Sequence, residues 1–553
     1  MQYVYTDTRE LDRAALKRFH LTDDILMENA AAALERAVVD ALQKLPNRSG
    51  TCRVLVIAGG GDNGGDGWAL ARRLNGAVIG TLLCSVTVLE VFPPKSEACR
   101  RQAERALAAG VKRVTDFSAG ADGTAGCSAF FTNFDLIAEC LFGSGFHGEP
   151  DAGTRALIDA VNKADCFKIA CDVPGGVNAK GCGTTAFRAD ATVCMGALKT
   201  AFFGDFAKNH TGKIVCADLG VSSALFRNIP ESETETGHSD GTFFESAICT
   251  PTAFLLEQSD LRLPVRNIAS VHKGCFGHAA VYTGPKTGAG IIAARAAFCC
   301  GTGLVSLVRD VTQPLYRSGT ETEADFGMYG AAPAYLMQAD SLPEKTTVVT
   351  AGPGFGRERE NRAAEVFSLL LRRKELFCVF DADMFYYGGI TQVLEKRPCG
   401  LVLTPHPKEF QSLLSLCGMG SFSVDEIVEN RMDLVKSFCS RYAGAVLLLK
   451  GAHMIIGHKK SEKTEEPRLY INSFGMPCLA KGGSGDVLSG FITAFLAQKY
   501  SPLDAAIQGS LVLAASSRLQ TSSYASTPFT LIQSAENPHE LKKALAEDFC
   551  PPA

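Results

Sequence analysis

The sequence predicts an α/β protein made of two three-layer α/β/α domains. Three observations predict it. Short apolar runs alternate with helix-patterned segments along most of the 553 residues, which implies parallel sheets with helices on both faces. The alternation breaks once, at 222–260, where NIPESETETGHSDGT is polar, acidic and rich in Ser, Thr and Gly. The length also exceeds the roughly 250–300 residues at which a single hydrophobic core stops growing. Domains are therefore expected at 1–222 and 261–553, with a connection at 223–260.

In the first domain a helix is expected at 24–42. Leu26, Ala30, Ala33, Leu34, Ala37 and Val38 recur at helical spacing, and Thr22 or Asp23 can cap it. Strands are expected at 53–58, 86–91, 136–141, 167–173, 191–195 and 213–218, each a short buried-type run. Helices at 67–74 and 96–109 lie between the earlier strands. In the second domain strands are expected at 279–282, 304–308, 347–350, 377–381, 400–404 and 445–450.

Apolar residues are 46% and charged residues 21%, which excludes a disordered chain. The formal net charge is −4, so there is no basic surplus to neutralise a nucleic-acid backbone, and no such partner is expected. The charge-free stretch at 74–89 contains Asn75, Gly76 and Gly80 and falls short of the ~20 apolar residues that cross a bilayer. The opening MQYVYTDTRELDRAALKRF carries charges where a signal peptide needs an apolar core. A cytoplasmic protein without a membrane partner is expected. The 20 cysteines scatter with no Cys-x-x-Cys, and Cys84, Cys194, Cys216 and Cys378 sit in apolar runs. That pattern reads as reduced, buried thiols rather than disulfides or a zinc site.

Two glycine-rich segments carry the chemistry. AGGGDNGGDGWALARRL follows the strand at 53–58 and opens a helix. Its glycines let the backbone approach a ligand closely, and free N–H groups at the helix start favour an anion. Asp62 and Asp66 would repel a bare phosphate unless they face ribose hydroxyls or a cation. Glu139 in ECLFGSG and Asp172 in DVPGG end two later strands on the same side of the sheet, where ligands of parallel sheets gather. With Asn63 and Asp66 they make an oxygen-rich pocket, suited to a hard cation and a hydroxylated substrate.

In the second domain Gly482, Gly483 and Gly485 precede Asp486, and a helix is expected from Val487. The amides of that helix start can hold a phosphoryl group in transfer, and Asp486 can take a proton from an attacking hydroxyl. AGPGFG, the Asp381-Ala-Asp383 strand end, His406 in LTPHPKEF, and Lys450 to His453 also follow strands. They are expected to converge on the same site.

GGGDNGGDG, ECLFGSG, DVPGG and ADATVCMGALKTAF resemble the NAD(P)H-hydrate epimerase family over about residues 1–222. The resemblance implies a Rossmann-like domain that binds its substrate through Asp62, Asn63, Gly64, Gly65 and Asp66. Further contacts are implied at Gly143, Ser144, Gly145, Phe146, His147, Gly148 and Glu149, with Asp172 as the substrate-binding and catalytic carboxylate. It implies a K+ ion held by Asn63, Glu139 and Gly175. This chain has Asp62 where the family usually has Asn, Glu139 where it has Asp, and Gly175 in place of a Ser ligand.

HKGCFG, AGPGFG, DAD, TPHPKEF, LKGAH and GGSGDVLSG resemble the ADP/ATP-dependent NAD(P)H-hydrate dehydratases, which have a ribokinase-like fold, over about 261–553. This implies substrate contacts at Ala289, Gly354, Gly356, His406 and Asp486, with Asp486 catalytic. It implies nucleotide contacts at Lys450, Gly451, Ala452, His453 and Met454 and at Gly482, Gly483, Ser484 and Gly485, with ADP or ATP as co-substrate and Mg2+. Together the two resemblances imply repair of hydrated NADH and NADPH (NADHX and NADPHX) by a homo-oligomer. The alternative is a ribokinase-like small-molecule kinase whose first domain is a non-catalytic sensing or dimerisation module.

Overall fold

The computed structural model describes residues 1–44, 50–115, 130–222, 226, 250–309, 332–461, 466–520, 522 and 524–546. The acidic stretch at 228–242 lies outside the described residues. The chain divides into two compact units, in the main Tyr3–Ala253 and Phe254–Asp548.

The first unit holds an eight-stranded sheet. Its parallel strands run in the order Lys213–Ala217, Ala191–Met195, Phe167–Cys171, Leu136–Cys140, Gly50–Ala58, Leu82–Glu90. All six strands expected from the apolar runs are present. Val78–Ile79 and Lys112–Val114, too short to stand out in the sequence, complete it at the Leu82–Glu90 edge. Successive side chains of a strand point to opposite faces. Thus Val54, Val56 and Ala58 enter one core, with Ala30, Leu34 and Val38 of helix Asp23–Gln43. Leu55 and Ile57 enter the other, with Leu157, Ile158 and Val161 of helix Ala152–Asn162. The Thr22 hydroxyl accepts the Ile25 amide and caps Asp23–Gln43, as its sequence suggests.

One element differs from the sequence reading. The helix expected at 67–74 begins at Asp62, so most of the glycine run is helix rather than loop. Its glycines are packing residues. A Cβ at Gly64 would lie 1.9 Å from the Gly59 carbonyl oxygen, at Gly65 2.7 Å from Met27, and at Gly67 2.9 Å from Cys140. Bare helix surface lets the first turns press onto the sheet.

In the second unit the parallel order is Met337–Ala339, Leu304–Val308, His278–Tyr282, Val348–Ala351, Phe377–Phe380, Leu401–Leu403, Val446–Leu449. An antiparallel hairpin, Met454–His458 with Arg468–Asn472, extends it. Ala253–Leu255 pairs in parallel with Arg468–Asn472, so a strand lies inside the span expected to be connection. Helices Ser484–Ala497 and Pro502–Arg518 bury their apolar sides against Val348, Val379, Val402 and Val446. Phe367 of helix Glu360–Arg372 meets Phe380 edge-on at 5.7 Å between ring centroids on the other face. No described helix is long and apolar enough to cross a membrane. All described cysteines are free thiols, most of them buried.

Candidate active sites

In the first unit, neighbouring strands Gly50–Ala58 and Leu136–Cys140 mark the reversal of strand order. The chain leaves one to the left and the other to the right, which opens a crevice at their carboxyl ends. A cavity of about 620 Å3 lies there. Asp62, Asn63, Asp66, Gly143, Ser144, Gly145, Phe146, His147 and Asp172 all line it, as expected. Gly64, Gly65, Gly148 and Glu149 do not. The two helix glycines are turned to backbone and Met27, Gly148 stands outside with φ of 88°, and the Glu149 carboxylate accepts the Thr184 hydroxyl at 2.6 Å.

Asp172 is the centre of this cavity. It ends a strand with φ of 65°, a left-handed conformation that costs a non-glycine residue energy and is kept where the surroundings hold it. One oxygen accepts the Ser144 amide at 2.9 Å. The other accepts the Met195 amide at 3.1 Å and the Lys199 ammonium at 2.6 Å. Burial pushes the Asp172 carboxyl up, but the Lys199 charge and the two amides outweigh it and hold it below the usual carboxylate range. Burial likewise opposes the Lys199 charge, and Asp172 more than restores it. Lys199 is 2% exposed and was assigned no role from sequence. Its position in ALKTAF, just beyond a strand end, was the available signal. Asp66 is the opposite case. Burial, then the charges of Asp172 and Asp62, push its carboxyl far up. Asp12, from helix Arg9–Phe19, also lines the cavity and was missed.

The expected cation ligands lie beside this floor. The Asn63 amide nitrogen donates to the carbonyls of Phe142 at 2.8 Å and Cys171 at 3.3 Å. Its oxygen is buried with no hydrogen-bond partner among the described residues. An orphaned buried acceptor is costly, and a monovalent cation would satisfy it, so Asn63 fits the role. Glu139 is fully buried and accepts the amides of Leu141 at 2.7 Å and Gly175 at 2.9 Å. Burial raises its carboxyl to about 7 despite those amides. Gly175 does not fit as expected. It has no side-chain oxygen, its amide is spent on Glu139, and its carbonyl accepts the Phe187 amide. A Cβ there would lie 2.9 Å from Glu139 Oε1. The long Glu139 side chain fills the space above Gly175.

Gly175→Ser is therefore expected to push Glu139 off its amides and cost about 1–3 kcal/mol, the penalty for stranding buried polar groups. Glu139→Asp with Gly175→Ser should regain most of the loss. Thermal unfolding of the three variants with and without K+ checks this; a single Gly175→Ser as stable as wild type would contradict it.

In the second unit, His278–Tyr282 and Val348–Ala351 form the corresponding reversal. Gly354 and Gly356 follow with φ of 71° and 75°. The Gly354 carbonyl accepts the Lys286 amide at 3.1 Å, and the Ala289 amide donates to the Lys286 carbonyl at 3.3 Å. The Gly356 amide donates to Asp383 at 2.8 Å. This web joins two of the segments expected to converge, AGPGFG and Asp381-Ala-Asp383, to the start of the helix at Lys286.

Asp486 lies in the first turn of helix Ser484–Ala497, which starts three residues before the expected Val487. Gly483, with φ of 94°, caps it, and a Cβ at Gly485 would lie 3.4 Å from the Lys450 ammonium. Gly482 is open to solvent on its Cβ side. The Ser484 hydroxyl donates back to the Leu479 and Lys481 carbonyls, which ties it to the turn before the helix. Burial first, then Asp381, raises the Asp486 carboxyl to about 7, against the pull of Lys450. Lys450 itself is bound to Asp381 at 2.8 Å and lies 3.6 Å from Glu409. Ser489 donates to the other Asp381 oxygen at 3.2 Å. Asp381, Glu409 and Ser489 were assigned no role from sequence.

His406 is a helix cap. Its Nδ1 accepts the amides of Lys408 and Glu409, and its Nε2 lies 3.0 Å from Glu409 Oε1. This closes a capping box on helix Pro407–Leu416, and Glu409 links it to Lys450. Gly451 and Ala452 form a turn, while the side chains of His453 and Met454 are buried, 2% and 8% exposed. These last two thus have main chain rather than side chain to offer a nucleotide. Arg431 donates to the carbonyls of Lys450 and His453 and holds that turn. Among the described residues no group of three or more His, Cys, Asp or Glu is placed to hold a metal ion.

A family model described as NAD(P)H-hydrate dehydratase matches residues 280–537, and one described as YjeF-related protein N-terminus matches 23–201. The chain is similar to the bifunctional NAD(P)H-hydrate repair enzyme of Helicobacter pylori, 37% identical over 96% of this chain and 99% of that protein. It is 31% identical to the protein of the same name from Escherichia coli, over 82% of this chain and 78% of that one. A solved structure, the ADP/ATP-dependent NAD(P)H-hydrate dehydratase from Bacillus subtilis co-crystallised with ATP/Mg2+, matches 53% of this chain and 98% of its own at 21% identity and a TM-score of 0.43.

Proposed function

The chain belongs to the family of bifunctional NAD(P)H-hydrate repair enzymes, and from that premise we propose that residues 1–222 interconvert the R and S hydrates of NADH and NADPH while residues 261–553 dehydrate the S hydrate at the expense of ADP or ATP. One observation carries the reading. Each unit seats a carboxylate beside its sheet: Asp172, at a strand end, accepts the amides of Ser144 and Met195, and Asp486 stands in the first turn of the Gly483-capped helix Ser484–Ala497.

In the first unit the ring nitrogen of the hydrate expels the C6 hydroxyl and leaves an iminium. The ionised Asp172 stabilises that charge and exchanges the proton of the departing or returning water. Lys199 holds the carboxylate in place and ionised. A K+ ion at Asn63 and Glu139 would add positive charge beside the bound substrate.

In the second unit Asp486 takes the proton from the C6 hydroxyl as its oxygen attacks the terminal phosphoryl group. The amides of the Gly483-capped helix start stabilise the charge on that group. Phosphate then leaves where hydroxide leaves poorly, and loss of a C5 proton restores the dihydropyridine. Mg2+ enters as the magnesium salt of the nucleotide.

The test is to supply NADHX with ADP or ATP and follow restored NADH by absorbance and AMP or ADP plus phosphate by chromatography. Recovery at the same rate without nucleotide would overturn the second half of the reading. A stable phosphorylated product that keeps its water would point to a kinase instead.

A further inference from the structure

Moving a hydroxyl from one face of C6 to the other has a proton demand on both faces. The departing oxygen needs a proton, and the arriving water must lose one. Asp172 accepts three hydrogen bonds from fixed donors and sits at the strand end. Asp66 is 8% exposed and engaged by the Cys171 thiol at 3.9 Å. Asp12 reaches the same cavity from a different element, the first turn of helix Arg9–Phe19. A first-turn acid often serves only the helix dipole, but Asp12 lines the same cavity as Lys199 and Asp172 and feels the charge of both.

We propose that Asp12 is a second proton-handling residue of the epimerase cavity, serving the ring face opposite the one served by Asp172; this rests on the epimerase reading above. Asp12 as the acid gives its proton to the C6 hydroxyl while the C6–O bond breaks, and the bond's electron pair leaves with water. The lone pair of the ring nitrogen forms the C6=N bond. A water on the Asp172 side then adds to C6, the π pair returns to nitrogen, and the surplus proton of that water passes to Asp172. The hydroxyl is inverted and one proton has moved from Asp12 to Asp172. The other epimer runs the same steps in reverse, and exchange with solvent resets the pair.

The charges around Asp12 support this division. Burial pushes its carboxyl up to about 6, Lys199 pulls it down, and Asp172, Asp7 and Asp23 push it up. Asp66, whose own carboxyl burial pushes far up, lines the same cavity, and Arg9, which also lines it, is taken by Asp7 at 2.8 Å. Asp172 is held ionised over the same range. Two acids whose titrations are pushed apart are the arrangement that an acid and a base sharing one site require.

The experiment follows R-NADHX to S-NADHX by chromatography with the full chain and no nucleotide, so the second site is silent. Asp12→Asn is expected to lower kcat by about 10²-fold, the usual range for losing a general acid, with KM changed less than about twofold. The decline of wild-type rate as pH rises past about 6 should vanish, and Asp12→Glu should restore part of kcat. ADP-dependent dehydration of S-NADHX by Asp12→Asn verifies its folding. Wild-type kcat and pH profile in Asp12→Asn, beside an inactive Asp172→Asn, would overturn the proposal and leave the epimerase reading intact. A raised KM with unchanged kcat would also overturn it. A wild type that fails to exchange epimers would sink the reading itself.

Discussion

Asp486→Asn is expected to abolish nucleotide-dependent recovery of NADH, by about 10²–10⁴-fold in kcat, while exchange between R and S hydrates continues. The amide keeps the shape of the carboxylate but cannot take the hydroxyl proton. Wild-type rate should rise with pH through about 7, because burial, with Asp381, raises the pKa of this group and the base works only when ionised. The same shift has a stability consequence of definite sign. The folded chain binds this proton more tightly than the unfolded chain, whose group titrates near 3.8. Between those two values stability therefore falls as pH rises, and above about 7 the cost of the buried charge is fully present. Asp486→Asn should thus unfold at a higher temperature than wild type at pH about 8, with the gain shrinking toward pH about 4. Rate profiles and thermal melts across that range test both halves. An Asp486→Asn enzyme that still restores NADH at wild-type rate would remove Asp486 from the chemistry.

Lys199→Met is expected to damage the other site through Asp172. The pair is buried, with side chains 2% and 10% exposed, at 2.6 Å. Removing one partner strands the other, which typically costs 3–5 kcal/mol. Without the ammonium, burial dominates and Asp172 becomes a protonated acid near neutrality. Epimerisation should fall about as far as in Asp172→Asn. The pH window follows from the two directions. Asp172 titrates below its unfolded value of 3.8, so its contribution is present above that value and is lost as pH falls through the folded pKa. Lys199 titrates above 10.5, so its contribution is present below that value and is lost as pH rises through the folded pKa. The pair therefore stabilises the fold from about pH 4 to about pH 10. A double substitution Asp172→Asn with Lys199→Met should lie closer to wild-type stability than the sum of the singles. Additive losses in that cycle would show that the two side chains do not act together.

Much of this architecture was legible because it rests on local pattern. The run RVLVIA is apolar on both faces, as a central parallel strand must be, and it became Gly50–Ala58. Asp172 and Asp486 could be singled out because each stands beside glycines at a strand end or a helix start, where a ligand can approach. The glycine run after Ala58 misled for a physical reason. Glycine weakens an isolated helix, but here its missing Cβ lets Gly64 and Gly67 lie on Gly59 and Cys140, and packing overrides propensity. His406 was read as a substrate contact, and the spacing of His406 and Glu409 also carried the capping box that the fold forms.

The amino-acid order by itself determined two α/β domains, the glycine-bordered strand ends and the family, because periodicity and turn residues are local. Only the folded chain decided which acids are charged. Asp172 and Asp66 look alike in sequence, yet one lies against Lys199, 27 residues away, which holds its carboxyl below the usual range, while burial pushes the carboxyl of the other far up. Ionisation depends on desolvation and on charges brought near by the fold, and neither is written in neighbouring residues.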